Sequence, residues 1–205
     1  MRRLIIDTAT RVCSVALFEG DTCIAAFHED IGRGHAERLV LMIAELPDKG
    51  RADILHVNVG PGSFTGIRVG VSAARALALA WGAECRGYGC LALIAAMARN
   101  GATIAVDVVM TGGHGEYYFQ SFDAGGAALT EAQTLPPEDA AKLSIAELVA
   151  GDMAHRLVTL RGSGQVIDLL PNAQSWPGIS SLQPMPPSPL YVRGPDAKLP
   201  GGITP

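Results

Sequence analysis

A chain of 205 residues, 48% hydrophobic and 18% charged, has enough apolar material for one or two compact domains whose core needs no disulfide or metal staple, which excludes disorder and a miniprotein scaffold. With 16 Lys and Arg against 20 Asp and Glu, the formal charge of −4 offers no positive field to hold a nucleic-acid backbone. Met1, Arg2 and Arg3 precede only three apolar residues before Asp7, far short of a signal-peptide core, and the apolar stretch 69–83 is interrupted by Arg75 and too short for a bilayer. Cys13, Cys23, Cys85 and Cys90 form no Cys-x-x-Cys pair, so a reduced, cytoplasmic chain without a membrane segment is expected.

Residues 4–6 and 13–18 predict two strands joined by the polar turn 8–11, and Gly20-Asp21 is a tight turn into a third strand over 22–27. From His35 the apolar residues Ala36, Leu39, Val40, Ile43 and Leu46 recur at helical spacing until Pro47 stops them. The β-branched run 54–59 suits a strand covered on both faces. A glycine-rich turn, 60–66, and a small-residue helix over 67–81 follow. This order predicts a mixed sheet with helices packed on it. A helix over 91–99, a break at Asn100-Gly101 and a strand over 103–106 place a boundary there, dividing the chain into a lobe of 1–100 and a smaller one of 101–205. Beyond it the pattern predicts a strand over 117–122, a short helix over 145–150, and a strand over 158–160 running into Gly162-Ser163-Gly164. Nine of the 13 prolines lie in 171–205. Pro184-Met185-Pro186-Pro187-Ser188-Pro189 allows only extended backbone, and composition favours disorder over a wrapping arm.

A strand feeding a glycine-rich turn and a helix start aims backbone amides at one point, so Gly60, Gly62, Ser63 and Gly66 are candidate anion or nucleotide ligands. The loop ends Gly66-Ile67-Arg68, without the lysine and hydroxyl of a Walker loop, and it also lacks the Gly-x-Ser-x-Gly hydrolase elbow. A structural turn is the stronger expectation. Asp7 and Thr8, between the first two strands, are the other candidates for a phosphate or a metal-bound water, but Ala9 stands where close backbone approach favours glycine. His28, His35, His56, His114 and His155 include no pair at helical metal-ligand spacing, so no metal is expected. His35 falls in the first helical turn and His114 in a solvated loop.

The first helix groups Ala36, Leu39, Val40 and Ile43 as its buried face, with Met42 widening it and Leu41 among Glu37, Arg38 and Glu45. The second gathers Arg68, Ser72 and Arg75 in one stripe and is otherwise apolar or small, so it is expected to be enclosed by another domain or chain. The expected partner surface is His35, Arg38, Leu39, Leu41, Met42, Val69, Gly70, Ala73, Ala74 and Leu77.

Leu4-Ile5-Ile6-Asp7-Thr8-Ala9-Thr10, Cys13-Ser14-Val15-Ala16-Leu17, the Gly-His-Ala-Glu-Arg-Leu run from Gly34 to Leu39, and Gly60-Pro61-Gly62-Ser63-Phe64-Thr65-Gly66-Ile67-Arg68-Val69-Gly70 resemble the bacterial TsaB family over the first half of the chain. The second half is similar in pieces: Asp107, Gly115-Glu116-Tyr117-Tyr118, Gly162-Ser163-Gly164 and Pro189-Leu190-Tyr191-Val192-Arg193. It departs at 108–114, where the family has an alanine and an arginine directly after the aspartate. The resemblance implies an α/β, actin-like (ASKHA) two-lobed fold of mixed sheets and packed helices with a reduced second lobe. It also implies a noncatalytic subunit for threonylcarbamoyladenosine (t6A) modification of tRNA next to the anticodon, needing no cofactor. The implied partners are TsaD, in a heterodimer, and the ATPase TsaE, with tRNA met only through the complex; a homodimer is possible for the chain alone. The paired-histidine metal motif of TsaD has no equivalent here. A nucleotide-dependent enzyme or peptidase of the actin-like superfamily, and a homodimeric scaffold, are the alternatives.

Overall fold

Alternation in the first strand sets the architecture: Leu4 and Ile6 enter one buried cluster while Ile5 enters another on the opposite face. The structure, a computed structural model, describes residues 1–192. In chain order its elements are β1 (Arg2–Asp7), β2 (Val12–Glu19), β3 (Thr22–Asp30), α1 (His35–Glu45), β4 (Ile54–Asn58), α2 (Phe64–Trp81), β5 (Glu84–Tyr88), α3 (Cys90–Arg99), β6 (Val106–Thr111), β7 (Tyr117–Phe122), β8 (Gln133–Leu135), α4 (Pro137–Leu143), β9 (Leu148–Ala150), α5 (Ala154–Arg161) and β10 (Gln165–Ile167), followed by a 3₁₀ segment, Ala173–Ile179.

Two five-stranded sheets repeat one plan, β3-β2-β1-β4-β5 and β8-β7-β6-β9-β10. In each, the first strand runs antiparallel to the second and parallel to the fourth. This duplicated mixed sheet with packed helices is the expected actin-like α/β fold. The second copy is the reduced one, since β8, β9 and β10 have three residues each.

β2 is buried from Val12 to Phe18 because both its faces are covered. Cys13, Val15 and Leu17 meet Leu39, Met42 and Ile43 of α1, whereas Ala16 and Phe18 pack with Trp176 of the 3₁₀ segment. α3 lies between the sheets: Leu93 packs with the first, and Leu91, Ile94, Ala95 and Ala98 join Val106 and Val108 of the second. Each of these large aliphatic side chains stabilises the fold by roughly 1.5–3 kcal/mol.

Several expectations need correction. The stretch 145–150 is not a helix; Leu148–Ala150 is a buried strand between β6 and β10. The stretch 158–160 belongs to α5, so its β-branched residues are helical. The strand expected at 103–106 begins only at Val106 and runs to Thr111. The second helix starts at Phe64, capped by the Ser63 hydroxyl, which accepts from the Gly66 amide at 3.2 Å. β5, β8, α4 and β10 had no expectation attached, and the 3₁₀ segment lies in the proline-rich stretch for which disorder was favoured but buries Ala173, Trp176 and Ile179.

The proline-rich stretch forms an arm as far as Val192. Gly87 and Met185 exchange backbone hydrogen bonds, and the Leu190 amide donates to the Val59 carbonyl at 2.8 Å. The remainder of that expectation, 193–205, lies outside the described residues. No helix among the described residues is long and apolar enough to cross a membrane.

Candidate functional site

Parallel register sets Asn58 beside Tyr88, with Asp7 ending the neighbouring strand. The Asp7 carboxylate accepts from Asn58 Nδ2 at 2.6 Å, from the Tyr88 hydroxyl at 2.9 Å and from the Ala9 amide at 3.2 Å. Asp7 and Thr8 are wholly buried. The Thr8 hydroxyl donates to the Gly66 carbonyl at 2.7 Å and the Ser63 amide to the Ala9 carbonyl at 2.7 Å, while the Gly60 amide donates to Asn58 Oδ1 at 2.8 Å. A Cβ on Gly62 would overlap the Ala9 carbonyl oxygen, and one on Gly66 the Thr8 carbonyl oxygen. The six anion candidates are therefore brought together, but as a joint between the strand turn and the start of α2. The Ser63 and Gly66 amides that an anion would require are directed at Ala9 and at the Ser63 hydroxyl.

Burial pushes the Asp7 carboxyl up to about 6, against the opposing hydrogen bonds from Asn58, Ala9 and Tyr88. A carboxyl raised in the folded state gives stability that is complete below its unfolded pKa of about 4 and is lost as pH rises through 6. Urea melts at pH 5.0 and 7.5 check this. The stability of the wild type minus that of Asp7→Asn is expected to grow on acidification from pH 7.5 to 5.0 by roughly 1.4 kcal/mol; a difference independent of pH refutes it.

The expected helix surface divides in two. Leu39, Met42, Gly70 and Ala74 are buried in the chain's own core, and Leu39 and Met42 have no exposure at all. Their place in the expected partner surface is thus overturned, because α1 rests on Leu39, Met42, Ile43 and Leu46 rather than on Ala36 and Val40. Arg38 is half-buried and fork-paired to Glu29 of β3, its Nε 2.7 Å from the carboxylate. His35, Val69, Ala73 and Leu77 are half-buried, the His35 Nε2 lacking a hydrogen-bond partner. Leu41 is 55% exposed.

Val40 and Leu79, outside the expected surface, are 61% and 87% exposed. Ala36, Ala44, Ala76 and Ala80 are exposed with them. The rest of the described chain does not enclose α2, whose outward side exposes Ala76, Leu79 and Ala80 beside Arg68, Ser72 and Arg75. The missed signal was Leu46, which fits a buried row 39, 42, 43, 46 as well as Ala36 fits 36, 39, 40, 43.

In the second lobe Asp107 is buried and accepts from the Ser121 hydroxyl at 2.6 Å, the Ser144 hydroxyl at 2.8 Å and the Ala146 amide at 2.9 Å. An arginine does stand beside it: Arg161 of α5 is 3.9 Å away and bonds Ser144. The sequence neighbourhood of Asp107 gave no sign of it.

A family model described as TsaD, tRNA N6-adenosine threonylcarbamoyltransferase, matches residues 27–159. The chain belongs to this family. It is 38% identical over 134 residues to the tRNA threonylcarbamoyladenosine biosynthesis protein TsaB of Escherichia coli, a match covering 60% of this chain and 55% of that protein. The TsaB of Haemophilus influenzae is 42% identical over 81 residues, covering 37% of this chain and 34% of that one. The match thus spans about half the length, or less, of these relatives. A Pseudomonas aeruginosa crystal structure described as an uncharacterized protein with similarity to peptidase YEAZ superposes with a TM-score of 0.79 at 25% identity, covering 94% of this chain and 99% of that one.

Proposed function

We propose that this chain is a noncatalytic subunit for t6A modification of tRNA, binding TsaD through the outward side of α1 and α2 and supporting its transfer reaction. The carrying observation is the identity with proteins named for threonylcarbamoyladenosine biosynthesis, 38% for the one from E. coli. The apolar residues on the outward side of α1 and α2, with Val40, Leu41 and Leu79 more than half exposed, support a protein partner, since apolar surface gains by leaving water. TsaE is a further partner in this scheme, and tRNA is met through the complex in the cytoplasm. The lobes divide near residue 100, and the first carries the contact helices.

Purified protein is expected neither to hydrolyse ATP nor to modify tRNA. Added to TsaD of the same organism with a supply of threonylcarbamoyl-adenylate, it restores modification. Incorporation of labelled threonine into tRNA measures this, and robust incorporation without TsaD rules the scheme out.

A further inference from the structure

At the start of α2 the Arg68 guanidinium lies 3.5 Å from the ring centre of Phe64 and 5.6 Å from that of Tyr191. Its Nε donates to the Tyr191 hydroxyl at 3.0 Å, and the two rings are 5.8 Å apart. A stack of this kind ordinarily sits inside an interface, yet Phe64 is 58% and Tyr191 52% exposed. Tyr191 is not loose: the arm before it is fastened by the Gly87–Met185 exchange and by Leu190 on Val59. The Arg68 side chain is therefore held in place with only its Nε engaged, and its terminal nitrogens have no partner among the described residues.

α2 has no Asp or Glu in its 18 residues, while Arg68 and Arg75 are both exposed. We infer that Phe64, Arg68 and Tyr191 form a contact site for a carboxylate-bearing segment of a protein partner. This rests on the function proposed above and identifies the partner there, TsaD, as the bearer of that carboxylate. A fixed planar guanidinium whose terminal nitrogens have no partner among the described residues matches a carboxylate in fork geometry, and flanking rings shield the pair from water. A nucleic acid fits less well. Its run of phosphates would have to settle on a chain of net charge −4, which offers no extended positive field to hold them. Tyr191 is a positioning residue, acting through Arg68.

The test compares Arg68→Gln, Arg68→Lys and Tyr191→Phe in the full chain by titration against TsaD, at low and high salt, with a tRNA gel shift alongside. All three variants are expected to melt like the wild type, because the side chains are exposed. Arg68→Gln weakens TsaD binding by about tenfold or more and flattens its salt dependence. Arg68→Lys, keeping the charge without the fork, recovers only part of the loss. Tyr191→Phe weakens binding and is without effect when combined with Arg68→Gln. Wild-type binding to TsaD that Arg68→Gln leaves within twofold, with the same salt dependence, overturns the carboxylate site while the proposed function stands. Loss of tRNA binding rather than TsaD binding overturns it in favour of a nucleic-acid contact. No wild-type binding to TsaD removes both.

Discussion

Gly62→Ala and Gly66→Ala are each expected to lower the melting temperature by about 6–12 °C, corresponding to ~3 kcal/mol apiece in a domain of this size, and the double variant is expected to give no soluble protein. An added methyl group would meet backbone: the Ala9 carbonyl at Gly62 and the Thr8 carbonyl at Gly66. Neither can turn aside as a flexible side chain would. The same turn carries the Ser63 amide bond to Ala9 and the Thr8 hydroxyl bond to Gly66, so relieving one overlap breaks hydrogen bonds in a buried place, each a further loss of about 1 kcal/mol. Gly82→Ala is the control. Gly82 has a φ of +65°, but nothing lies within 4 Å of its added Cβ, so the cost is the left-handed backbone alone, about 1–2 kcal/mol. Thermal melts of the three single variants decide the matter. If Gly62→Ala and Gly66→Ala melt no lower than Gly82→Ala, the glycines are not there for close approach and the loop regains its candidacy as a ligand cradle.

The first lobe was legible in the sequence because its strands are long enough to show a pattern and its helices are bounded by strong signals. Gly34 opens α1 and Pro47 follows it, while Ser63 and Gly82 bracket α2. In the second lobe only the six-residue strands could be read, β7 in full and β6 in part. β9 has three residues, all buried, and a run so short has no period to tell strand from helix; its state is fixed by pairing with β6 and β10. Val158-Thr159-Leu160 reads as a strand by propensity, but Ala154 and Leu157 anchor it as a helix. The candidate site divided in the same manner. The residue set of the Asp7 joint was visible in the motifs, but Tyr88, Asn58 and the contact of Thr8 with Gly66 depend on partners 51 to 81 positions away. The Arg68 stack was beyond reach for the same reason, since Tyr191 arrives from 123 residues downstream. On α1 the apolar residues allowed two faces. Only the packing of Met42 and Leu46 against β2 and α2 in the first cluster shows which one is inside.

That choice of face carries the second large effect, and it reverses the roles that helical spacing alone assigns to neighbouring residues. Met42 has no exposure and lies in the first buried cluster, so Met42→Arg sets an unpaired guanidinium in an apolar core, a cost of several kcal/mol against a total stability of roughly 5–15 kcal/mol. Met42→Arg is expected to be insoluble or unfolded. Val40 and Leu41, 61% and 55% exposed, are already largely solvated. Val40→Arg and Leu41→Arg are thus expected to melt within about 2 °C of the wild type, as surface substitutions do. Their effect falls on association instead. If the outward side of α1 is buried against TsaD, either arginine must be desolvated there without a counter-charge, and affinity drops by about a hundredfold or more. Circular dichroism melts paired with a TsaD pull-down separate the two kinds of damage. A soluble, cooperatively melting Met42→Arg would show that α1 is turned the other way in the protein. Val40→Arg and Leu41→Arg proteins that both melt normally and retain TsaD would show that α1 lies outside the contact, leaving α2, with Leu79 and the Arg68 stack, to make it alone.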